Sequence, residues 1–212
     1  MLIDLVKEKV KDASGRLTDL DDYLPAIDAA VARYGKHRPL EVVEDLDGDG
    51  GSDLALPESW VAEFSQIRRV EYPVGSNPEA LLEADEWSLY RAPDGLKLRL
   101  RWDKPEVGES LRLTYTAPRL EADIPAGDLD AVACLAASIC LRALAAVYGQ
   151  TSDPTIQADS VNYQSKTDQY RRLADALEER FNLQLGVDAR GTAPAASVIA
   201  NAPRSGRTRL TH

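Results

Sequence analysis

The sharpest chemistry in the sequence lies in a nine-residue segment, DLDGDGGSD, which begins at Asp45. Its carboxylates stand at relative positions 1, 3, 5 and 9, and its glycines let the backbone fold tightly around a point. Four acids this close repel one another unless a cation lies among them, and hard oxygen ligands at this spacing suit Ca²⁺. An EF-hand also needs a bidentate glutamate at position 12, where this chain has Leu56. The EF-hand pattern therefore matches only in its first half.

The segments on either side of this Asp-rich loop, LEVVEDL and DLALP, look like strands. The loop resembles the calcium loop of integrin-type propeller repeats, which joins two strands, but it occurs once here and predicts no propeller. The resemblance implies side-chain ligands from Asp45, Asp47, Asp49 and Asp53 and a carbonyl ligand from Gly51. The alternative is a solvated Asp-Gly hairpin without metal. In either case we expect a structural loop, because no nucleophile or general base accompanies it.

Little else in the sequence could support catalysis. His37 and His212 are the two histidines, so His-based metal sites and Ser-His or Cys-His catalysis have almost nothing to build from. No phosphate-binding Gly-rich loop is evident. Cys134 and Cys140 lie six residues apart in one predicted helix and point about 120° apart, so we expect buried, reduced thiols that do not bridge each other. We predict that the protein is not an enzyme.

The composition is that of a globular protein, with 44% hydrophobic and 28% charged residues over 212 positions. This length suits one large domain or two small ones. The net charge of −10 disfavours attachment to nucleic-acid phosphates, since that affinity comes from basic residues. The first ten residues, MLIDLVKEKV, mix charges with apolar residues and do not resemble a signal peptide.

Helical periodicity marks both ends of the chain. Apolar residues recur at helical spacing from Leu2 to about Ala13, and again after Thr18, whose hydroxyl could cap a second helix that we expect to end at Gly35. A later helix, which follows a cap at Asp159 or Ser160, carries its apolar side chains on one face and closes at Gly186. That face consists of Val161, Tyr170, Leu173, Leu177 and Phe181.

Between Leu40 and Pro118 the period becomes two. Five segments alternate apolar with charged residues, which predicts an antiparallel sheet with one charged, solvated side. Pro93-Asp94-Gly95 is a hairpin signal, because glycine supplies the positive φ that such turns need. We interpret the three tryptophans of this region, Trp60, Trp87 and Trp102, as core residues.

The run from Ala131 to Tyr148 is almost continuously apolar. We reject a membrane span, because the run is rich in alanine and Arg142 lies near its middle. An Ala-rich helix is better explained as the centre of a bundle, approached closely by helices of the same or adjacent subunits. The positions to which we assign subunit packing are Ala133, Ala137, Leu141 and Leu144.

Together these patterns predict an α+β fold. A helical bundle comprises N-terminal helices (residues 1–39) and two long C-terminal helices (124–186). An inserted antiparallel β domain (40–123) carries the Asp-rich loop. An extended C-terminal arm (187–212) follows.

Charge changes sign at the C-terminal end. The segment from Gly186 to His212 has four arginines and one aspartate, whereas the preceding 185 residues have 21 basic and 34 acidic residues. One interpretation is a disordered tail. The other, which we favour, is an arm that orders on a partner. Its basic side chains are Arg190, Arg204, Arg207 and Arg209.

The whole pattern resembles the head-to-tail connector, or adaptor, proteins of tailed bacteriophages. The resemblance rests on the paired N-terminal helices, on IPAGDLDAVACLAASICLRALAAVYGQ, and on TSDPTIQADSVNYQSKTDQYRRLADALEERF with its flexible tail. It covers mainly residues 1–35 and 124–185. The strand-rich segment departs from the smallest, all-helical members.

The resemblance implies a structural protein of the virion neck, made in the host cytoplasm. It would form a ring of twelve copies beneath the portal protein, with its C-terminal arm on the portal and a further neck or tail protein below. DNA would pass through the ring without sequence-specific binding, and no membrane would be involved. An alternative of another class is a calcium-dependent module that binds protein or carbohydrate through the Asp-rich loop and the sheet.

Overall fold

The computed structural model describes residues 2–150 and 163–187, with the side chains of residues 163–165 left out. The four α-helices within this part are α1 (Leu2–Val10), α2 (Leu24–His37), α3 (Leu129–Gln150) and α4 (Tyr163–Leu185). Six strands lie between α2 and α3: β1 (Leu40–Asp47), β2 (Asp53–Ala55), β3 (Ile67–Glu71), β4 (Trp87–Ala92), β5 (Gly95–Leu100) and β6 (Ser110–Ala117). The α+β fold is therefore observed as predicted, with the strands inserted between helices.

The two N-terminal helices follow the predicted apolar stripes, with different ends. α1 stops at Val10, and a short π-helical turn, Asp19–Tyr23, precedes α2. The Thr18 hydroxyl accepts a hydrogen bond from the Asp21 amide, which confirms the predicted cap. The expectation that Gly35 ends the second helix is wrong, because α2 continues to His37. Gly35 is buried there, and a Cβ added to it would lie 3.6 Å from the amide nitrogen of Arg119.

α3 is the centre of the helical part. Thirteen of its 22 residues are buried, and it packs against each of the other three helices. By length and composition it could cross a membrane, but 72% of its most apolar 18-residue window is buried inside the chain. Alanine allows this close approach because it adds little beyond the backbone. α3 thus serves as the core helix of a bundle.

α4 covers one side of α3 and ends as predicted. Gly186 has a φ of +71°, its amide donates to the Leu183 carbonyl, and the Val187 amide donates to the Asn182 carbonyl. These two bonds form a Schellman motif, which needs a left-handed residue after the helix. Leu173, which we expected on the apolar face, is 42% exposed, and Ala174 is buried in its place. The proposed caps at Asp159 and Ser160, and the apolar Val161, lie outside the described residues.

Two ion-pair clusters join the four helices. Glu178 of α4 accepts hydrogen bonds from Arg33 of α2 and Arg142 of α3. Asp130 of α3 accepts hydrogen bonds from Lys9 of α1 over 2.6 Å and from Arg180 of α4 over 2.7 Å. Each carboxylate therefore contacts cations from two other helices.

The strands form two three-stranded antiparallel sheets rather than the one sheet that the alternation predicts. The strand orders are β1-β6-β3 and β2-β5-β4. The predicted hairpin at Pro93-Asp94-Gly95 is confirmed, since Ala92 pairs with Gly95 and Gly95 has a φ of +141°. Leucines of β5 and β6 with Tyr115 form a hydrophobic core that is separate from the core of the helices.

The chain crosses between helices and sheets twice, and Arg119 joins the two crossings. Its guanidinium donates to the carbonyl oxygens of Arg38 and Pro39, which follow α2, and to that of Asp123, which precedes α3. Tyr34 lies beneath this guanidinium, 5.8 Å from ring centre to carbon.

Candidate functional site

The Asp-rich loop is the strongest chemical signal in the sequence. Its first aspartate, Asp45, lies within β1, two residues before the strand ends. Asp45 is in β1 directly opposite Arg112 of β6. The Arg112 guanidinium donates to both carboxylate oxygens of Asp45, over 2.7 and 2.9 Å. This bidentate pairing holds the pKa of the Asp45 carboxyl below its usual value. Cross-strand pairing therefore explains why this position is acidic.

The last aspartate of the loop is paired in the same way. Asp53 of β2 lies opposite Arg99 of β5, which donates to both Asp53 oxygens over 2.6 Å. The hydrogen bonds from Arg99 lower the pKa of the Asp53 carboxyl. Arg99 also lies over the ring of Tyr90, 3.3 Å from its centre. One bidentate ion pair thus joins two neighbouring strands in each sheet.

The middle of the loop packs against a second loop, residues 101–109. The amide of Gly48 donates to the Glu109 carbonyl and the amide of Gly50 to the Pro105 carbonyl, each over 2.9 Å. A Cβ on Gly48 would lie 2.5 Å from the Pro105 carbonyl oxygen, so no larger residue fits there. Asp49 accepts a hydrogen bond from the amide of Gly51. The glycines that suggested a metal loop therefore allow two loops to touch.

The arrangement does not fit a calcium site. The carboxylates of Asp45 and Asp53 accept hydrogen bonds from arginines of two different sheets. One carboxylate oxygen of Asp49 accepts a hydrogen bond from the Gly51 amide. Within residues 2–150 and 163–187, no group of three or more acidic, histidine or cysteine side chains could hold a metal ion. The calcium ligands Asp45, Asp47, Asp49, Gly51 and Asp53 remain a prediction from the sequence.

The histidine and cysteine side chains offer no reactive group in the described part of the chain. His37 lies against the ring of Phe181, and burial and the charge of Arg33 lower its pKa. Cys134 and Cys140 are free and buried, and burial raises the pKa of the Cys140 thiol to about 12. A neutral, buried thiol is a poor nucleophile.

The residues assigned to subunit packing have a different place from the one expected. Ala133, Ala137, Leu141 and Leu144 are each 0% exposed within the single chain. Their neighbours come from the chain's own core, so they present no surface to another copy. The arginines assigned to the portal, Arg190, Arg204, Arg207 and Arg209, lie outside the described residues.

An apolar groove is the first surface feature that the sequence did not indicate. It lies between α2 and the segment Pro118–Glu121, which follows β6, and has a volume of about 340 Å³. Val31, Ala32, Phe64, Pro118 and Leu120 provide its apolar lining. Leu120 is 70% exposed at this position. The groove forms where the helices meet the sheets, so its residues come from distant parts of the chain.

A protruding apolar loop is the second such feature. Trp102 is 73% exposed and Val107 is 84% exposed, both in the loop 101–109. The interpretation of Trp102 as a core residue is therefore wrong, whereas Trp60 and Trp87 do pack against the sheet core. Trp102 lies two residues beyond β5, where the alternation that would bury it has already ended.

Comparison with known proteins gives structural matches alone. No family model matches the chain, and no curated protein matches it. The chain is similar to a chain in the virion of a native gene transfer agent (GTA) particle, at 17% identity and a TM-score of 0.30, with 81% of this chain and 89% of that chain covered.

Two neck structures also match. One is the neck of the native GTA particle computed with C12 symmetry, at 16% identity and a TM-score of 0.28, covering 79% of this chain and 88% of that chain. The other is the neck of the empty GTA particle computed with C6 symmetry, at 16% identity and a TM-score of 0.30, covering 80% and 88%. The matched chains belong to virion and neck structures, and TM-scores this low carry no conclusion about function.

Proposed function

We propose that this chain is a structural component of the neck of a phage-like particle, namely a head-to-tail connector that forms a ring beneath the portal. The observation that carries the proposal is the organisation of the chain. An Ala-rich helix, α3, is the buried centre of a bundle built from both ends of the chain, and the strands are inserted between α2 and α3. This is the organisation that the connector resemblance implies for residues 1–35 and 124–185.

The distribution of charge supports a conduit for DNA. The 185 residues before Gly186 have 13 more acidic than basic residues. An acidic wall repels phosphates at short range, so DNA would pass through the ring without being held. Sequence-specific recognition of DNA is not part of this function.

The C-terminal segment, residues 187–212, is proposed to bind the portal. Its four arginines give it a net charge opposite to that of the preceding chain, which suits an acidic or carbonyl-rich partner surface. Symmetry matched to the portal would give twelve copies per ring. A further neck or tail protein would bind below the ring, on the sheets.

The alternative of a calcium-dependent binding module has no comparable support. Asp45 and Asp53 are the outer two of its four carboxylates, and each accepts two hydrogen bonds from an arginine. A function in the neck needs no such metal. A neck protein acts through packing surfaces and charges, and this role requires no catalytic residue.

The test is to mix the full chain with the portal protein of the same particle and to measure the mass and symmetry of the particles by native mass spectrometry and negative-stain imaging. We expect a closed ring of this chain seated on the portal ring. A mixture in which neither protein changes mass over a range of salt concentrations would overturn the proposal.

A further inference from the structure

The groove and the protruding loop lie at opposite ends of strand β6. The groove segment begins at Pro118, directly after β6 ends at Ala117, and the loop 101–109 ends where β6 begins at Ser110. Eight strand residues at about 3.4 Å each separate the two ends by roughly 25 Å. β6 is the central strand of its sheet, and its apolar side chains are buried, so this separation is rigid.

Each feature has the properties of one half of a contact. The groove is concave and has a mainly apolar surface, and the loop is convex and carries Trp102 and Val107, which are 73% and 84% exposed. Tryptophan in a pocket is a typical anchor of protein interfaces, because it buries a large apolar area with few rotatable bonds. A groove of about 340 Å³ has room for an indole ring.

The chain cannot fill its own groove with its own loop. The Asp-rich loop holds the loop 101–109 through the bonds from Gly48 and Gly50, and β6 keeps both at a distance from α2. The two surfaces are different, and they lie at opposite ends of one rigid unit. Contacts of this kind are heterologous, and they repeat from copy to copy into a ring or a filament.

Charge neither strongly favours nor strongly disfavours a contact between the loop and the groove. Arg101, Asp103 and Lys104 lie beside Trp102 in the sequence. Asp28, Lys36 and Glu121 line the groove, whose Arg119 already binds backbone carbonyls. Both surfaces therefore carry acids and bases. Apolar burial is left as the driving force, and the contact should weaken little as salt is added.

We infer that copies of this chain associate head to tail, with Trp102 and Val107 of one copy in the groove between α2 and residues 118–121 of the next. The inference rests on the proposed ring and names the surfaces that build it. It also needs no surface of α3, which the chain's own helices bury, since the contact between copies comes from the groove and the loop 101–109.

The experiment uses two variants of the full chain that each remove one half of the contact. Trp102→Ala removes the anchor, and Ala32→Glu places a charge in the groove at an exposed helix position that tolerates glutamate. The matched controls are Leu183→Ala, at another exposed large side chain, and Ala29→Glu, at an exposed position of α2 outside the groove. Circular dichroism melting checks that all four variants fold.

Sedimentation velocity at about 100 μM should show self-association of the wild-type chain and of both controls, and about 30-fold weaker association of Trp102→Ala and Ala32→Glu. A mixture of these two variants should form dimers and nothing larger, because Trp102→Ala keeps a groove and Ala32→Glu keeps an anchor. A monomeric wild-type chain, or a mixture without dimers, would overturn the inference.

The same variants separate this inference from the proposed function. If both variants form full rings on the portal, the contact is wrong and the neck function stands. If the wild-type chain does not bind the portal while the variant mixture forms dimers, the contact between loop and groove stands and the neck function is wrong.

Discussion

The Arg119 guanidinium donates to the carbonyl oxygen of Arg38 over 2.6 Å, and this bond joins the two places where the chain passes between helices and sheets. Further bonds from Arg119 reach the carbonyl oxygens of Pro39 and Asp123. One side chain therefore links the segment that leaves the helices to the segment that returns to them. The same residue lines the groove that we infer to receive a neighbouring copy.

Replacement of Arg119 by alanine should lower the free energy of unfolding by about 2 kcal/mol, the scale of lost hydrogen bonds from a charged group. Arg119→Lys should recover little of this loss. The compact ammonium group of lysine cannot donate to three separated carbonyl oxygens, as the planar guanidinium group does. Urea unfolding of both variants measures the effect, with exposed Arg91→Ala as the control. Equal stability of Arg119→Ala and Arg91→Ala would show that the crossings need no such link.

The interior of α3 should not accept a larger side chain. Ala137 is 0% exposed in the bundle core, so a tryptophan at this position overfills the core. Ala137→Trp should lower the free energy of unfolding by about 1–3 kcal/mol or prevent folding. Ala146→Trp, at an exposed position of the same helix, is the control and should melt near the wild-type temperature. A stable Ala137→Trp variant would mean that this face of α3 is open to solvent.

Acid should weaken the bundle through Glu178. Burial of this carboxyl raises its pKa, but the hydrogen bonds and charges of Arg33 and Arg142 outweigh burial, so the pKa lies below the ordinary 4.5. A carboxyl with a lowered folded-state pKa contributes stability above its unfolded-state pKa and loses it as the pH falls through the folded-state value. Stability should therefore fall as the pH drops below about 4.5.

Glu178→Gln should remove part of that pH dependence and should lower stability at neutral pH. Glu179→Gln, one residue along and exposed, is the control. Thermal melting from neutral pH to pH 3 or so measures both. If Glu178→Gln and the wild-type chain lose stability in parallel as acid is added, another group is responsible.

Calcium should have little effect on the folded chain as long as Asp45 and Asp53 stay paired with arginines. We expect melting temperatures in calcium and in chelator to agree, since a ligand raises stability only by binding the native state. A calcium-dependent rise that disappears in Asp47→Asn/Asp49→Asn would instead establish the metal loop predicted from the sequence. Ser52→Ala, within the loop, serves as the control variant.

Removal of residues 188–212 should weaken binding to the portal without unfolding the chain. Val187 is retained, because its amide closes the end of α4 and its side chain packs against the helical core. Replacing the four arginines of this segment with glutamine should reproduce most of the loss, if charge is the reason for binding. Unchanged co-sedimentation of either variant with portal rings would contradict the proposal.

The elements were predictable from local patterns, and their partners were not. A helical stripe in α1, alternation in β6 and a glycine after α4 are signals that a short window of sequence contains. Gly35 also looks like a helix end in such a window, but it is buried inside α2, which continues to His37. A Cβ on Gly35 would lie 3.6 Å from the amide nitrogen of Arg119, 84 positions away, and no short window of sequence contains that neighbour.

The Asp-rich loop shows the same limit for a candidate site. Its spacing suits a cation, and the sequence alone cannot reveal that Arg112 lies opposite Asp45, since 67 positions separate them. Register across a sheet decides which charges meet. The exposed Trp102 and the groove on α2 likewise depend on where a loop and two distant segments come to lie.

Leu40, the first residue of β1, pairs with Ala117, the last residue of β6. The chain therefore leaves the helices and returns to them at neighbouring positions. The arrangement of the helices does not depend on how large the inserted sheets are. An inserted unit with adjacent ends can be lengthened, shortened or exchanged as one piece during evolution. The helices can then keep their packing while the inserted unit diverges to suit a different neighbour.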